Sequence, residues 1–293
     1  MNNTRSHAVF GLYVAVSVIL LWQVIKDLFL YSLGNESCSH IVLIPFVTAY
    51  LIYIQRDKIF LVTKSSLVSG LLFVLAGLAF YGVARGNTLG QGQVLSAKAL
   101  SLILIWAGGF FLCYGNQAAR AAAFPLGFLA LMVPLPDSVL AWTISLLQSA
   151  STELSYLFFT ALRVPVLRQG FLLSLPGLTI EVAKECSGIR SSIALFIVCL
   201  LAAHLFLRTA WKKFFFVALA FPLAIIKNGI RITTLSMLSI HVDPSFLTGR
   251  LHREGGFVFF LLVLGMLAPI LLRLQQSECK AKPELAALHS VGS

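Results

Sequence analysis

Apolar runs near the length of a membrane span recur along the chain, separated by short polar links. Eight such runs cover 8–30, 41–54, 67–84, 99–114, 121–140, 189–207, 214–240 and 255–274. A helix needs about 20 apolar residues to cross the hydrocarbon, so the shorter runs must be completed by their flanks. A ninth stretch, 141–162, is long enough to span, but it carries Ser145, Gln148, Thr152 and Ser155 at helical spacing. This pattern predicts an amphipathic helix lying at the outer surface or partly re-entrant, with Pro134-Leu135-Pro136 turning the chain into it. Between 164 and 182 the period changes to that of strands. Residues 170–175, a Pro176-Gly177 turn and residues 178–182 predict a small hairpin. Open strands cannot lie in lipid, which puts the hairpin at the outer interface.

The expected fold is therefore an all-α polytopic membrane protein. It has about eight transmembrane helices, with an interfacial amphipathic helix and a small hairpin on the outer side. One integral-membrane domain is expected over 1–274 and a short cytoplasmic tail over 275–293. No repeat or low-complexity segment is visible. The first run lacks a small-residue cleavage site after it and reads as a retained helix.

Composition agrees with this reading. Of the 293 residues 58% are hydrophobic and only 11% charged, against about 25% charged in soluble domains. Mean hydropathy is +0.91. The formal charge of +11 would raise the question of nucleic acid in a soluble protein. Here the cations sit in short links, and no basic–aromatic run suited to base stacking occurs, so nucleic acid is set aside. Arg56, Lys58 and Lys64 mark one cytoplasmic link, Arg208, Lys212 and Lys213 a second, and Arg273, Lys280 and Lys282 the tail; Arg120 agrees weakly. Both termini are then inside. Membrane lipids are an expected partner throughout.

The five cysteines, Cys38, Cys113, Cys186, Cys199 and Cys279, form no C-x-x-C pair and no zinc spacing with histidine. No metal and no cofactor is called for. Cys113 and Cys199 lie in apolar runs and read as packing residues. Cys186 differs, because Glu181, Lys184, Glu185, Ser187 and Arg190 surround it in sequence, and an apolar run starts at Ile189. The start of a helix offers unpaired N–H groups and a partial positive charge, and both favour the nucleophilic thiolate. The helix after Lys213 runs outward. Arg231 lies seventeen residues beyond Phe214, or about 26 Å along it, near the outer edge of the hydrocarbon. Lys227 and Arg231 share a helix face with Asn228 beside them, a costly placement for two like charges. Arg231 could simply snorkel to the interface, but function accounts better for this placement. His252 precedes the last, inward-running helix, and His241 is its rival. Cys186, Arg231 and His252 are thus expected at one depth on the outer side. His40 also faces outward, as a site residue or a polar loop cap. The Gly82–Gly86 small-residue spacing is a common helix-contact pattern.

These residues resemble those of the exosortases, in the exosortase/archaeosortase family of membrane transpeptidases, and do so in the family's order over about 39–268. Ser39-His40-Ile41-Val42-Leu43-Ile44-Pro45 is similar to the early Ser-His…Pro segment, though the family often has glycine where Ile41 stands. Leu131-Met132-Val133-Pro134-Leu135-Pro136 resembles the mid-chain proline-rich turn. Glu185-Cys186-Ser187-Gly188-Ile189-Arg190 resembles the nucleophile motif, Asn228-Gly229-Ile230-Arg231-Ile232 the Asn-x-x-Arg-Ile motif, and His252 with Gly255-Gly256 the last motif. The resemblance implies a thiol protease and transpeptidase of a bacterial inner membrane that faces the periplasm. Its substrates would be exported proteins with a C-terminal signal: a short motif such as Pro-Glu-Pro, a transmembrane helix and a basic end. The acceptor is unknown and could be linked to lipid or polysaccharide.

The expected chemistry is attack by Cys186 on the scissile carbonyl to form a thioester. His252 and Arg231 divide proton donation and oxyanion stabilisation in either order. A backbone N–H of Ser187 or Gly188 completes the oxyanion hole, and Asn228, Ser187, Gly188 and His40 line the site. Three rivals stand beside this reading. One is a purely hydrolytic intramembrane protease. The second is a transporter binding an anionic solute through Arg231 and Lys227, although no paired halves are visible. The third is a non-catalytic assembly factor for surface polysaccharide.

Overall fold

The computed structural model describes residues 3–86, 90–247 and 256–291, and of Asn3, Glu36, Gln91, Glu185, Cys186 and 280–291 it describes the backbone. The chain divides into two compact units, Met1–Leu140 and Ala141–Ser293.

The first unit holds α1 (Asn3–Leu20), α2 (Trp22–Gly34), α3 (Ile44–Ile54), the single turn α4 (Arg56–Ile59), α5 (Leu67–Arg85), α6 (Gln91–Ala121) and α7 (Ala123–Phe128). Helices α5 and α6 pack along their length. Gly70 and Gly108 meet backbone to backbone: a Cβ on either would lie 3.0–3.1 Å from the other's carbonyl oxygen. In lipid, where apolar burial drives nothing, such close approach supplies the helix contact. The Gly82 pattern plays no part in it, since open space surrounds a Cβ built there. Polar tethers join α6 to α1 and α2: Trp106 Nε1 donates to Ser17 (2.9 Å), Tyr13 to the Ile105 carbonyl (3.0 Å) and Lys98 to Asp27 (2.7 Å).

Helix α8 (Asp137–Ala161) starts at the end of the first unit and runs into the second, after the 3-10 turn Leu129–Met132 and the prolines. Most of its polar stripe is turned inward. Gln148, Thr152 and Ser155 are buried together with Ser151, while Ser145 is exposed, as are Trp142, Leu146 and Leu157. Thr152 and Ser155 donate to the carbonyls one turn back. Leu147 and Phe159 are buried with these polar groups, and the exposed side mixes Trp142, Leu146 and Leu157 with Ser145, Ser149 and Glu153.

The second unit continues with β1 (Leu167–Gln169), β2 (Leu172–Leu175) and β3 (Leu178–Glu181), an antiparallel sheet in that order. The expected hairpin is β2–β3, in the register Leu173 to Ile180 and Leu175 to Leu178, and β1 adds a third strand. Leu173, Leu175 and Val182 pack with Phe159 of α8. Helices α9 (Ile189–Phe206), α10 (Ala210–Ala218), α11 (Ala220–His241) and α12 (Gly256–Val291) follow. Leu195, Cys199, Ala203, Phe216, Leu223 and Val263 form a core among them. The last helix continues beyond the expected tail boundary at 275. There Glu278 accepts from the backbone N–H groups of Arg208 and Thr209 (2.9 and 2.8 Å), at the start of α10, and Lys212 donates to Ser277 (2.8 Å).

Five described helices are long and apolar enough to cross a bilayer. They rise to seven if α1 with α2, bent by 74°, and 123–132 with α8 each count as one span. A count of eight is not confirmed among the described residues. The run at 41–54 yields a helix of 11 residues, only about 16 Å long, and the run at 121–140 breaks at its prolines. The all-α polytopic class stands.

Candidate active site

The polar segment that leaves β3 determines the geometry. Val182 is buried; its N–H donates to the Phe171 carbonyl (3.0 Å), and its own carbonyl accepts from Gln148 Nε2 (2.5 Å). Two anchors thus fix the chain just before the 3-10 turn Lys184–Ser187, which contains Cys186. Gly188 follows with φ 74° and ψ 17°, the left-handed residue that caps α9. Glycine enters this region without Cβ strain. The Gly188 carbonyl accepts from the Ser192 N–H (2.9 Å), Ser192 Oγ (2.9 Å) and Ser191 Oγ (3.0 Å). The start of the apolar helix is thereby closed, with Cys186 on the turn in front of it.

Helix α11 packs against this turn. A Cβ at Gly188 would meet Asn228 Oδ1 at 3.2 Å, Asn228 Cγ at 3.3 Å and Lys227 Nζ at 3.6 Å. The Cys-Ser-Gly segment and the Asn-x-x-Arg segment, some forty residues apart in sequence, therefore touch. Asn228, Lys227 and Ser187 are each at most 2% exposed. Ser187 Oγ has no hydrogen-bond partner among the described residues. Arg231 lies one turn beyond Lys227. It is half-buried and lines a pocket of about 50 Å³ with Ile180, Glu181, Val182, Ser236 and Leu247.

Of the residues singled out in sequence, Ser187, Gly188 and Asn228 come together here, and Arg231 shares the helix that carries Asn228. The side chain of Cys186 and the whole of His252 lie outside the described residues. His241, the rival histidine, is exposed at the end of α11. His40 belongs to the first unit, where its Nε2 meets the Leu131 carbonyl at 3.2 Å and joins the Ser-His segment to the proline-rich turn. Burial holds its imidazole below the ordinary histidine range, against hydrogen bonds from the ring to the Leu131 and Ser37 backbone that act the other way. No cluster of three metal-ligating side chains occurs among the described residues. Two residues noted in the sequence had not been assigned to this site. Lys227 reaches Ser191 on α9, and Gln148 holds the strand that leads into the turn. An intramembrane cation and a glutamine on a polar stripe were visible signals, but their partners were not.

The profile of the transmembrane exosortase family (Exosortase_EpsH) matches residues 22–269. The chain belongs to that family. The matched stretch runs from α2 into α12 and takes in both touching motifs as well as the His40–Leu131 contact. No curated protein and no solved structure matches the chain. This exosortase is a multi-pass membrane protein by its helices as well as by its family.

Proposed function

We propose that this exosortase is a membrane cysteine transpeptidase. It would cleave the C-terminal sorting signal of exported proteins through a Cys186 thioester and pass the new C-terminus to an acceptor. The observation that carries the reading is the contact of Gly188 with Asn228, which seats the thiol-bearing turn on the helix that presents Arg231. In this scheme Cys186 Sγ attacks the scissile carbonyl. The tetrahedral oxyanion is held by Arg231 and a backbone N–H of Ser187 or Gly188, and collapse expels the amine of the signal helix. His252 supplies the proton to that amine, and the acceptor nucleophile then releases the thioester. Arg231 and His252 exchange roles without changing the outcome.

The site would face the periplasm of a bacterial inner membrane with both termini in the cytoplasm, a reading the cation-rich links favour. A substrate carrying a short motif, a transmembrane helix and a basic end would reach it laterally. In cells expressing such a substrate, Cys186→Ala should accumulate the full-length form. Wild-type protein quenched during turnover should carry a substrate adduct whose mass maps to Cys186. Normal processing by Cys186→Ala would end the proposal.

A further inference from the structure

Lys227 is the buried cation that this mechanism leaves unused. It lies within an apolar span at 2% exposure, a setting in which a charged side chain marks function. Its Nζ donates to Ser191 Oγ, which donates to the Gly188 carbonyl. The Cβ position of Gly188 is 3.6 Å from the same Nζ. Two residues of chain span at most about 7 Å, so the ammonium lies within roughly 12 Å of the Cys186 Cα. Among the described residues Arg231 lies one turn away on α11 and acts on Lys227. Lys184 stands on the turn itself and Arg190 on α9, Glu181 of β3 lines the pocket beside Arg231, and Glu153 of α8 is ion-paired with Arg168 of β1.

We propose that Lys227 is a positioning residue for the nucleophile. Through Ser191 it clamps the turn that ends at Gly188, and its charge favours the Cys186 thiolate. This rests on the reading of Cys186 as the nucleophile. At an effective dielectric constant of about 20, a unit charge roughly 12 Å away changes a thiol's midpoint by about one pH unit. A tie that only joined two helices would leave that midpoint where it is.

The test is the rate of iodoacetamide alkylation against pH in the full-length, detergent-solubilised protein, with the adduct mapped by mass spectrometry to the Cys186 peptide. Lys227→Gln retains a donor for Ser191 and removes the charge. It should raise the alkylation midpoint by about one pH unit and slow alkylation several-fold at neutral pH, and Lys227→Arg should hold the wild-type midpoint. A wild-type midpoint in Lys227→Gln overturns the proposal. If Lys227→Gln loses its melting transition, Lys227→Arg decides, and a midpoint moved to that of an ordinary cysteine overturns it equally. The readout needs no substrate. A shifted midpoint alongside intact processing by Cys186→Ala would therefore sink the nucleophile reading and leave the effect of Lys227 on the thiol standing.

Discussion

Replacing Gly188 by alanine tests the junction of the two motifs most directly. The backbone there has φ 74°, and a Cβ in this region costs about 1–2 kcal/mol. The added carbon would also press on Asn228 Oδ1 and Cγ at 3.2 and 3.3 Å. Asn228 is 1% exposed and has little room to yield, so about 1 kcal/mol more is expected from overpacking. The total of about 2–3 kcal/mol falls on the turn that carries Cys186, so processing should drop by at least tenfold. The detergent-solubilised melting temperature should fall by several degrees. Gly188→Asn separates the two terms. Asparagine tolerates the left-handed region but brings the same Cβ, so its loss should be about half as large. In Gly188→Ala combined with Asn228→Ala the steric part should vanish, a coupling of about 1 kcal/mol in the melting data. Strict additivity, or a Gly188→Ala protein that melts and processes like wild type, would refute the contact.

Three further outcomes are expected. Gln148→Leu removes the buried donor to the Val182 carbonyl and should cost about 1–3 kcal/mol by thermal unfolding, whereas Ser187→Ala deletes a hydroxyl without a described partner and should leave stability unchanged or slightly raised. Arg231→Lys keeps a charge but loses the planar fork; it should retain more processing than Arg231→Ala in a gel-based assay, and equal activity of the two would remove Arg231 from oxyanion binding. His40 titrates below its ordinary value in the folded protein, so the unfolded chain binds the extra proton. Its contribution is then constant above about pH 6.5 and declines as pH falls from there towards the folded value. The drop in melting temperature between pH 7.5 and 5.5 should shrink in His40→Gln.

The expected positions of Ser187 and Gly188 followed from a polarity boundary, since a polar tetrapeptide ahead of an apolar run has few places to go in a bilayer; that of Asn228 followed from its distance along the run that starts at Phe214. Neither the left-handed turn at Gly188 nor the reach of Lys227 to Ser191 was legible, because both depend on which helices become neighbours. The polar stripe of α8 was legible as a pattern, but its partners were not: Gln148, Thr152 and Ser155 are buried and donate to backbone carbonyls. The short helix Ile44–Ile54 shows the limit of counting apolar residues, since Ile41–Leu43 lie in a turn before the helix begins. Strand β1 was missed because three residues carry too little alternation to register.

The hold of Glu278 on the amides of Arg208 and Thr209, just ahead of α10, bears on how this exosortase is handled at the bench. Truncation at the hydropathy boundary near 275 would look harmless on a plot, yet it would strip a cap from the helix pair that leads to Arg231. Expression tags are better placed beyond that carboxylate than in its stead.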